Sequence, residues 1–570
     1  VGRRRLKVMA DFETTTDPDD CRVWNWFYVP LGTERVEWGK DIDSFMKFIS
    51  RRDQTIYFHN LKFDGTFIID RLFRAGFVHT TNKKPDAMQF TSLIDRMGKF
   101  YKLTVMFSNG VVVEFLDSLK KLPFSVKNIA RAFKLPISKG EINYHKPRPV
   151  GYEPTDEELD YGFRDVLIPA KALQTQFDKG LTKLTQGADA LAEYQRVIGK
   201  EHFMNLFPIL SQEIDRQLRT AYRGGYTYSD PRFRGELLGA GKVYDVNSLY
   251  PSVMYNDLLP YGEPVWAEGL PQLTESRPLS IFSVTFTAKL KPDHLPIIQI
   301  KGMSMFSPTE YVEEIDEPVT LSFTNVDFAL IQQHYDIEVE SFNGGWLFHA
   351  AQGLFKEYID KWSEVKKNSE GAMREIAKLM LNSLYGKFAT NPDVTGKVPY
   401  FDEEKNIVRF RVGADEEREP VYTAMGVFIT SYARRIMITA AQANYPVFAY
   451  CDTDSMHLMS LEPPVNTWVD PKELGAWKCE GEFSNAFYMR PKAYVEYMVA
   501  DGKGQPIIDA FDEDGDNPAW SVHIAGVPRE VARTLRFEDL VSGTQLEGKL
   551  QPKVVPGGVV LQEIDFTLKF

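Results

Sequence analysis

Two apolar runs, Pro446 to Tyr450 and Met456 to Leu461, meet at Cys451-Asp452-Thr453-Asp454-Ser455. No other stretch constrains the chain as much. The runs read as two strands of a hairpin with carboxylates at its tip. In extended backbone the period of two puts Asp452 and Asp454 on one face. Two such acids raise each other's pKa unless a cation lies between them. Mg²⁺ or Mn²⁺ is the hard ion that suits carboxylate oxygens. Aspartate is also common in plain turns, so the reading needs a further acid. Val243 to Pro251 supplies it: a β-like run with Asp245 at its end.

The first 170 residues mix strands and helices and are read as an α/β unit. Val8 to Thr14 is a strand carrying Asp11 and Glu13 on one face. Ile56 to Phe58 is a short strand leading through His59 to Gly65 into a helix expected over Thr66 to Gly76. Tyr101 to Phe107 and Val111 to Leu116 flank the turn Ser108-Asn109-Gly110. Thr155 and Glu158 form a capping box for a helix bearing Tyr161 and Asp165 one turn apart. Asp11, Glu13, Asp64 and Asp165 thus sit at the edges of separate apolar elements. Together they suggest a carboxylate cage for two Mg²⁺ ions that hydrolyses a phosphodiester. Tyr161 would orient the attacking water, and Lys139 would steady the phosphate.

Further along, Tyr222-Arg223-Gly224-Gly225-Tyr226 is a break where backbone can approach a ligand closely. From Leu259 to Gly353 prolines and short β-like runs recur, which predicts a largely β insertion. Leu354 to Ala389 is helical, punctuated at Gly371. In its second helix Ile376, Leu379, Met380 and Leu384 form the expected buried face. Arg374, Lys378, Asn382 and Tyr385 form a stripe that, with Lys366 and Lys367, can hold a triphosphate and stack on a base. Asn391 to Pro420 reads as a hairpin, and Gly426 to Ala443 as an apolar helix with Thr430 and Arg434. Met489 to Tyr494 reads as a β edge bearing Lys492. Asp509 to Asp516 reads as an acidic loop, and the tail from Gly526 as a small β unit.

The net charge of −12 argues mildly against nucleic acid. Ser118 to Arg148, however, holds eight basic residues and one acid, interleaved with Phe124, Phe133 and Tyr144. That pattern favours binding of phosphates and bases. Cys21, Cys451 and Cys479 are too scattered for a disulfide framework or a zinc site, which predicts a reducing cytoplasm. No apolar run is long enough for a membrane span. The basic start lacks the apolar region of a secretory signal. Val1 in place of Met reads as a trimmed, processed or alternatively initiated start.

These motifs, in their order, resemble family B DNA polymerases. Asp245 to Pro251 is similar to DxxSLYP, Lys378 to Gly386 to KxxxNSxYG, and Tyr450 to Asp454 to YxDTD. Asp11-Phe12-Glu13, Asn60 to Asp64 and Tyr161 to Asp165 resemble the three motifs of the 3′→5′ exonuclease domain. Tyr222 to Gly225, Thr430 to Arg434 and Lys492-Ala493-Tyr494, with the long insertion, resemble the protein-primed subgroup.

The resemblance implies an α/β and α+β multidomain fold. Its expected parts are an RNase H-like exonuclease domain (1–185), a palm in two parts (186–256 and 422–525) and fingers (354–389). Two terminal-protein regions (257–353 and 390–421) and a thumb (526–570) complete it. Asp245 and Asp454 would bind two Mg²⁺ or Mn²⁺ ions with the Val246 carbonyl, and Asp452 would support them. A second pair of ions would sit at Asp11, Glu13, Asp64 and Asp165. Tyr250 would exclude a ribose 2′-hydroxyl. Lys366, Arg374, Lys378, Asn382 and Tyr385 would bind the dNTP. Thr14, His59, Asn60, Phe63, Ser118, Tyr222, Gly224, Gly225, Thr430, Arg434, Lys492 and Tyr494 would contact DNA. The implied partners are primer/template and single-stranded DNA and a terminal protein acting as primer. The implied setting is a phage-encoded monomer in the host cytoplasm. The rivals are a relative that starts only from nucleic-acid primers and a catalytically dead DNA-binding protein.

Overall fold

The computed structural model describes residues 5–300, 310–512 and 515–568. The expected insertion therefore includes residues 301–309, and the expected acidic loop includes Glu513 and Asp514, that lie outside the described residues.

Two eight-stranded sheets organise the chain. In the first, three parallel strands stand side by side: Leu6–Thr14, Gln54–Phe58 and Val112–Asp117. All five residues of Gln54–Phe58 are buried, as a central parallel strand requires. Antiparallel strands extend the sheet on both sides. The helices Leu61–Arg74 and Asp156–Asp178 pack against it, the second bearing the expected capping box between Thr155 and Glu158.

The second sheet is antiparallel along its path. Its central strand, Gly241–Val246, lies between Ser455–Leu458 and Trp477–Arg490. Phe448–Asp452 pairs with Ser455–Leu458, so the acidic hairpin forms as read. The helices Lys356–Asn368 and Gly371–Phe388 pack together as the predicted helical pair. The hairpin expected within 391–420 is Asp393–Asp402 with Ile407–Glu417.

Several expectations change. The helix after His59 begins at Leu61, not Thr66, because Asn60 takes a left-handed φ of 77° and turns the chain directly into it. Asp64 therefore sits in the first helical turn. The insertion contains the helix Asn325–His334, capped by Thr324, whose hydroxyl accepts the Asp327 amide. Leu379 is only half-buried, and Ala377, Leu381 and Phe388 complete the buried face. Met489 to Tyr494 is β-structured as read, but it is the end of one interior strand and the start of the next, Trp477–Arg490 and Ala493–Asp501, joined by a turn at Pro491 and Lys492, the latter at a φ of 61°. The tail forms a small β unit as read, the hairpin Gln545–Val555 with Gly558–Thr567, but its tip is lodged in the N-terminal unit. Val555, Val559 and Val560 are buried in the core of the first sheet, and the Gly557 amide donates to Asp70 at 3.3 Å. No helix among the described residues is long and apolar enough to cross a membrane.

Candidate functional site: two carboxylate centres

The first centre lies on the N-terminal sheet. Alternation along Leu6–Thr14 delivers Asp11 and Glu13 to the same place, and the helix Asp156–Asp178 adds Asp165. One oxygen from each of the three lies within 4.8 Å of the others. Asp64 joins from its helix: its charge helps to raise Glu13, and its own carboxyl is pushed up by burial and by Asp11. Burial, then Asp165, pushes the Asp11 carboxyl up to about 8. Burial also raises Glu13 and Asp165.

Asp64 Oδ1 and Asp165 Oδ1 are buried without a hydrogen-bond partner in the protein. Lys139 Nζ, 3.1 Å from Asp165 Oδ2, is the cation beside the four acids. Orphaned hard oxygens and this imbalance of charge fit a divalent cation such as Mg²⁺ or Mn²⁺. The Tyr161 hydroxyl lies 2.6 Å from that of Tyr144. Tyr144 is a site residue that the motif spacing missed; its place in an aromatic-basic run was the one available signal.

The DNA-contact candidates of this unit divide. Asn60 is exposed, and Phe63 and Thr14 are half-buried at the rim. Ser118 is fully buried. Its hydroxyl donates to the Phe58 carbonyl at 3.1 Å and lies 2.8 Å from His59 Nδ1, while His59 Nε2 is 2.7 Å from the Phe124 carbonyl. Ser118 therefore offers no surface to a ligand as it stands and holds His59 instead.

The second centre lies on the other sheet. Asp245 pairs in register with Ser455 on one side and Lys478 on the other. The Val246 amide donates to the Asp454 carbonyl at 2.9 Å, which locks the two acidic segments together. Burial, Asp454 and Glu480 push the Asp245 carboxyl up to about 7. Burial and Asp452 raise Asp454. Two adjacent half-buried acids, both raised, again fit a hard divalent cation.

The shared face expected for Asp452 and Asp454 does not come from strand alternation. Thr453 has a φ of 62°, so Asp454 belongs to the turn. Asp452 is held away by Lys492 Nζ, 2.9 and 2.8 Å from its two oxygens, and by the Thr227 hydroxyl at 2.9 Å.

Around this centre the polar stripe of Gly371–Phe388 is outward-facing: Arg374 and Asn382 are exposed, Lys378 and Tyr385 partly so. Lys366 gathers with Arg374, Lys378 and Lys478; burial and these three cations lower its pKa. Lys478 and Glu480 were missed because cross-strand register with Asp245 is not legible in sequence. Tyr250 and Tyr385 stack with ring centroids 4.0 Å apart.

With both centres described, comparison with known proteins is decisive. The profile of the family described as "DNA polymerase type B, organellar and viral" matches residues 46–150 and 141–470. The DNA polymerase of Bacillus phage phi29 is 44% identical over 99% of this chain and 99% of its own length. The chain belongs to the phi29-like type B DNA polymerases. The polymerase of Bacillus phage Nf is 43% identical over 99% of this chain and 100% of its own. Phi29 DNA polymerase solved with primer-template DNA and incoming nucleotide superposes with a TM-score of 0.92 at 43% identity, covering 99% and 100% of the two chains.

In this phi29-like polymerase two of the DNA-contact candidates lie in the interior. Thr430 is 1% and Arg434 5% exposed. The Thr430 hydroxyl donates to carbonyls of its own helix. Arg434 is clamped by Asp327 at 2.6 and 3.1 Å and donates to the Arg223 and Gly224 carbonyls at 2.7 and 2.8 Å. It shapes the Tyr222–Gly225 loop from behind. Tyr222 and Gly225 are partly exposed and Gly224 is exposed. Lys492 is exposed at its turn, and Tyr494 is half-buried beneath it.

The basic stretch is also corrected. Lys121 is buried against Asp189 and Arg148 against Glu158, while Lys139 pairs with Asp165, Lys146 with Glu158 and, at the surface, Lys134 with Glu370. Much of its charge is neutralised within the fold, so the stretch is not a continuous phosphate-binding face.

Proposed function

We propose that the Asp245–Asp454 centre polymerises deoxynucleotides and that the Asp11–Glu13–Asp64–Asp165 centre removes mispaired 3′ ends. The observation that carries this reading is two separate carboxylate centres on two different sheets, each with its own cations and aromatic rings. On this reading 1–185 is the exonuclease domain, 186–256 with 422–525 the palm, 354–389 the fingers and 526–570 the thumb. Residues 257–353 and 390–421 are the regions that receive a terminal protein. The solved complex of phi29 DNA polymerase with primer-template DNA and incoming nucleotide supports the substrate class.

At the polymerising centre Asp245, Asp454 and the Val246 carbonyl hold the cations, and Asp452 keeps Lys492 beside the primer end. Bound Mg²⁺ or Mn²⁺ supplies charge neutralisation and a more acidic hydroxyl. Lys366, Arg374 and Lys378 bind the triphosphate. The Tyr250–Tyr385 stack walls the nascent base pair and excludes a 2′-hydroxyl, and Asn382 completes that wall. The primer 3′-hydroxyl gives up its proton to solvent and attacks the α-phosphate in line; the new O3′–P bond forms as the bond from the α-phosphorus to the β-phosphate oxygen breaks, and pyrophosphate leaves toward Lys366, Arg374 and Lys378. The residues contribute by positioning and charge complementarity. The first acceptor is a hydroxyl of a terminal protein.

At the editing centre Tyr161, steadied by Tyr144, orients a water toward the terminal phosphodiester. Lys139 accompanies the charge that develops. Asn60, Phe63 and Thr14 line the approach of the frayed strand. The enzyme works as a monomer in the host cytoplasm.

Asp245→Ala and Asp454→Ala are expected to abolish extension and retain 3′→5′ digestion; Asp11→Ala with Glu13→Ala does the reverse. Loss of both activities in either variant would sink the two-centre assignment. Incubation with terminal protein and labelled dNTP tests priming: absence of a covalent protein-nucleotide product refutes it. On this reading the enzyme also displaces the downstream strand as it extends; failure to do so on a nicked circular template with Mg²⁺ and no helper proteins would refute that part.

A further inference from the structure

Beneath the acidic turn lies a small core distinct from the main one. It contains Tyr450, Phe483, Ala486 and Tyr488, with Tyr494 packed against it. Into this layer the chain places Glu496, 2% exposed, and His457, 1% exposed. Burying a carboxylate is costly unless it is hydrogen-bonded, and an apolar side chain would often serve stability better. Glu496 Oε1 accepts the Tyr488 hydroxyl at 2.7 Å and lies 2.5 Å from His457 Nδ1.

Both partners of Glu496 bear on one ring. Tyr488 stacks on Tyr450, with centroids 5.5 Å apart and planes 12° apart. The His457 ring meets Tyr450 edge-on at 5.0 Å. The Tyr450 hydroxyl in turn accepts the backbone amide of Lys492 at 3.0 Å. Lys492 is at a left-handed φ of 61°, and its ammonium grips both oxygens of Asp452. A continuous series of contacts thus runs from a buried carboxylate, through three rings, to the lysine and acid beside the polymerising centre.

We propose that Glu496 is a positioning residue for polymerisation. It fixes Tyr488 and His457 so that Tyr450 holds the Lys492 turn at the height at which its ammonium meets Asp452. It touches neither nucleotide nor DNA. The proposal rests on the polymerising role of the Asp245–Asp454 centre. That role is tested separately by Asp245→Asn: retention of extension would refute the centre and the proposal with it, whereas loss of extension leaves the Glu496 variants to decide the proposal alone.

The experiment uses the full chain with Mg²⁺, a primer-template duplex and dNTPs. Glu496→Ala leaves two buried polar groups without their acceptor and is expected to weaken primer-template binding and lower the single-turnover extension rate, together by about tenfold. Digestion of single-stranded DNA stays at the parent rate. Glu496→Gln keeps an acceptor for Tyr488 and restores most of the loss. In a Lys492→Ala background, Glu496→Ala adds nothing further, because it acts through that turn.

Parent-like extension by Glu496→Ala, or a loss that simply adds to that of Lys492→Ala, overturns the proposal. Should Glu496→Ala fail to fold, shown by loss of single-strand digestion as well, Tyr488→Phe decides. It removes one hydroxyl, and the proposal requires weaker primer-template binding with digestion intact; parent-like binding overturns it.

Discussion

Gly225 is where a single methyl group should reach the polymerising centre. A Cβ at this position would lie 2.8 Å from Thr453 Cγ2, 2.9 Å from its Oγ1 and 3.1 Å from its Cα. The side-chain contacts could be relieved by rotation, but the contact with Cα could not. Thr453 is also poorly placed to retreat. It is a β-branched residue at a φ of 62°, and its amide donates to the Tyr226 carbonyl at 2.9 Å. Gly225→Ala must therefore push the turn by about half an ångström, an overpacking that costs about 1–3 kcal/mol. Asp454 is the next residue. Since a misplacement of about 1 Å can cost on the order of 100-fold in rate, a shift of half that predicts roughly tenfold slower nucleotide addition. Single-turnover extension on a saturating primer-template measures it, and single-strand digestion is the internal control. Gly224→Ala is the matched comparison, because nothing lies within 4 Å of a Cβ there. Equal damage from both substitutions, or an undiminished rate for Gly225→Ala, would refute the reasoning.

Asp327→Ala strands the Arg434 guanidinium in the interior and is expected to destabilise the fold by about 3–5 kcal/mol, read by thermal denaturation. Arg434 and its neighbours hold the Asp327 carboxyl below its usual range. Its contribution is therefore fully present above the unfolded value of about 3.9 and is lost as pH falls through the lower folded value; the stability gap to an Asp327→Asn variant should narrow only in that acid window. Tyr144→Phe removes the hydroxyl 2.6 Å from that of Tyr161 and should slow 3′→5′ digestion while leaving extension of a paired primer unchanged. Lys121→Met leaves the buried Asp189 without its ion pair and should lower stability by about 3–5 kcal/mol, with loss of both activities at temperatures the parent tolerates.

The two carboxylate centres were legible because their signal is local. An acid at the end of an apolar strand is read from a few adjacent residues, and alternation alone delivers Asp11 and Glu13 together. Asp452 shows the limit of that logic, since one residue in a left-handed conformation, Thr453, cancels the period of two. The basic stretch misled because charge counts say nothing of partners: Lys134 finds Glu370, 236 residues away. The spacing of Thr430 and Arg434 places them on one helix face but not on which side of the protein that face lies. The helix Asn325–His334 carried a readable start, Thr324 three residues before Asp327, but Val326, Phe328, Leu330 and Ile331 are apolar on several sides. Buried helices of that kind have no amphipathic period to detect.

The tip of the C-terminal hairpin, lodged against the first sheet, has a consequence for biosynthesis. Gly558 sits so close to Phe67 that a Cβ there would lie 2.3 Å from the ring, and Gly557 similarly crowds the Cys21 carbonyl. Val555, Val559 and Val560 complete a core whose other members are almost all encoded in the first fifth of the chain. At about 5–20 residues per second, translation reaches these valines about 25 to 100 s after Phe67. Throughout that interval the nascent N-terminal unit carries an unfinished apolar seat, which Val555, Val559 and Val560 fill only once they emerge.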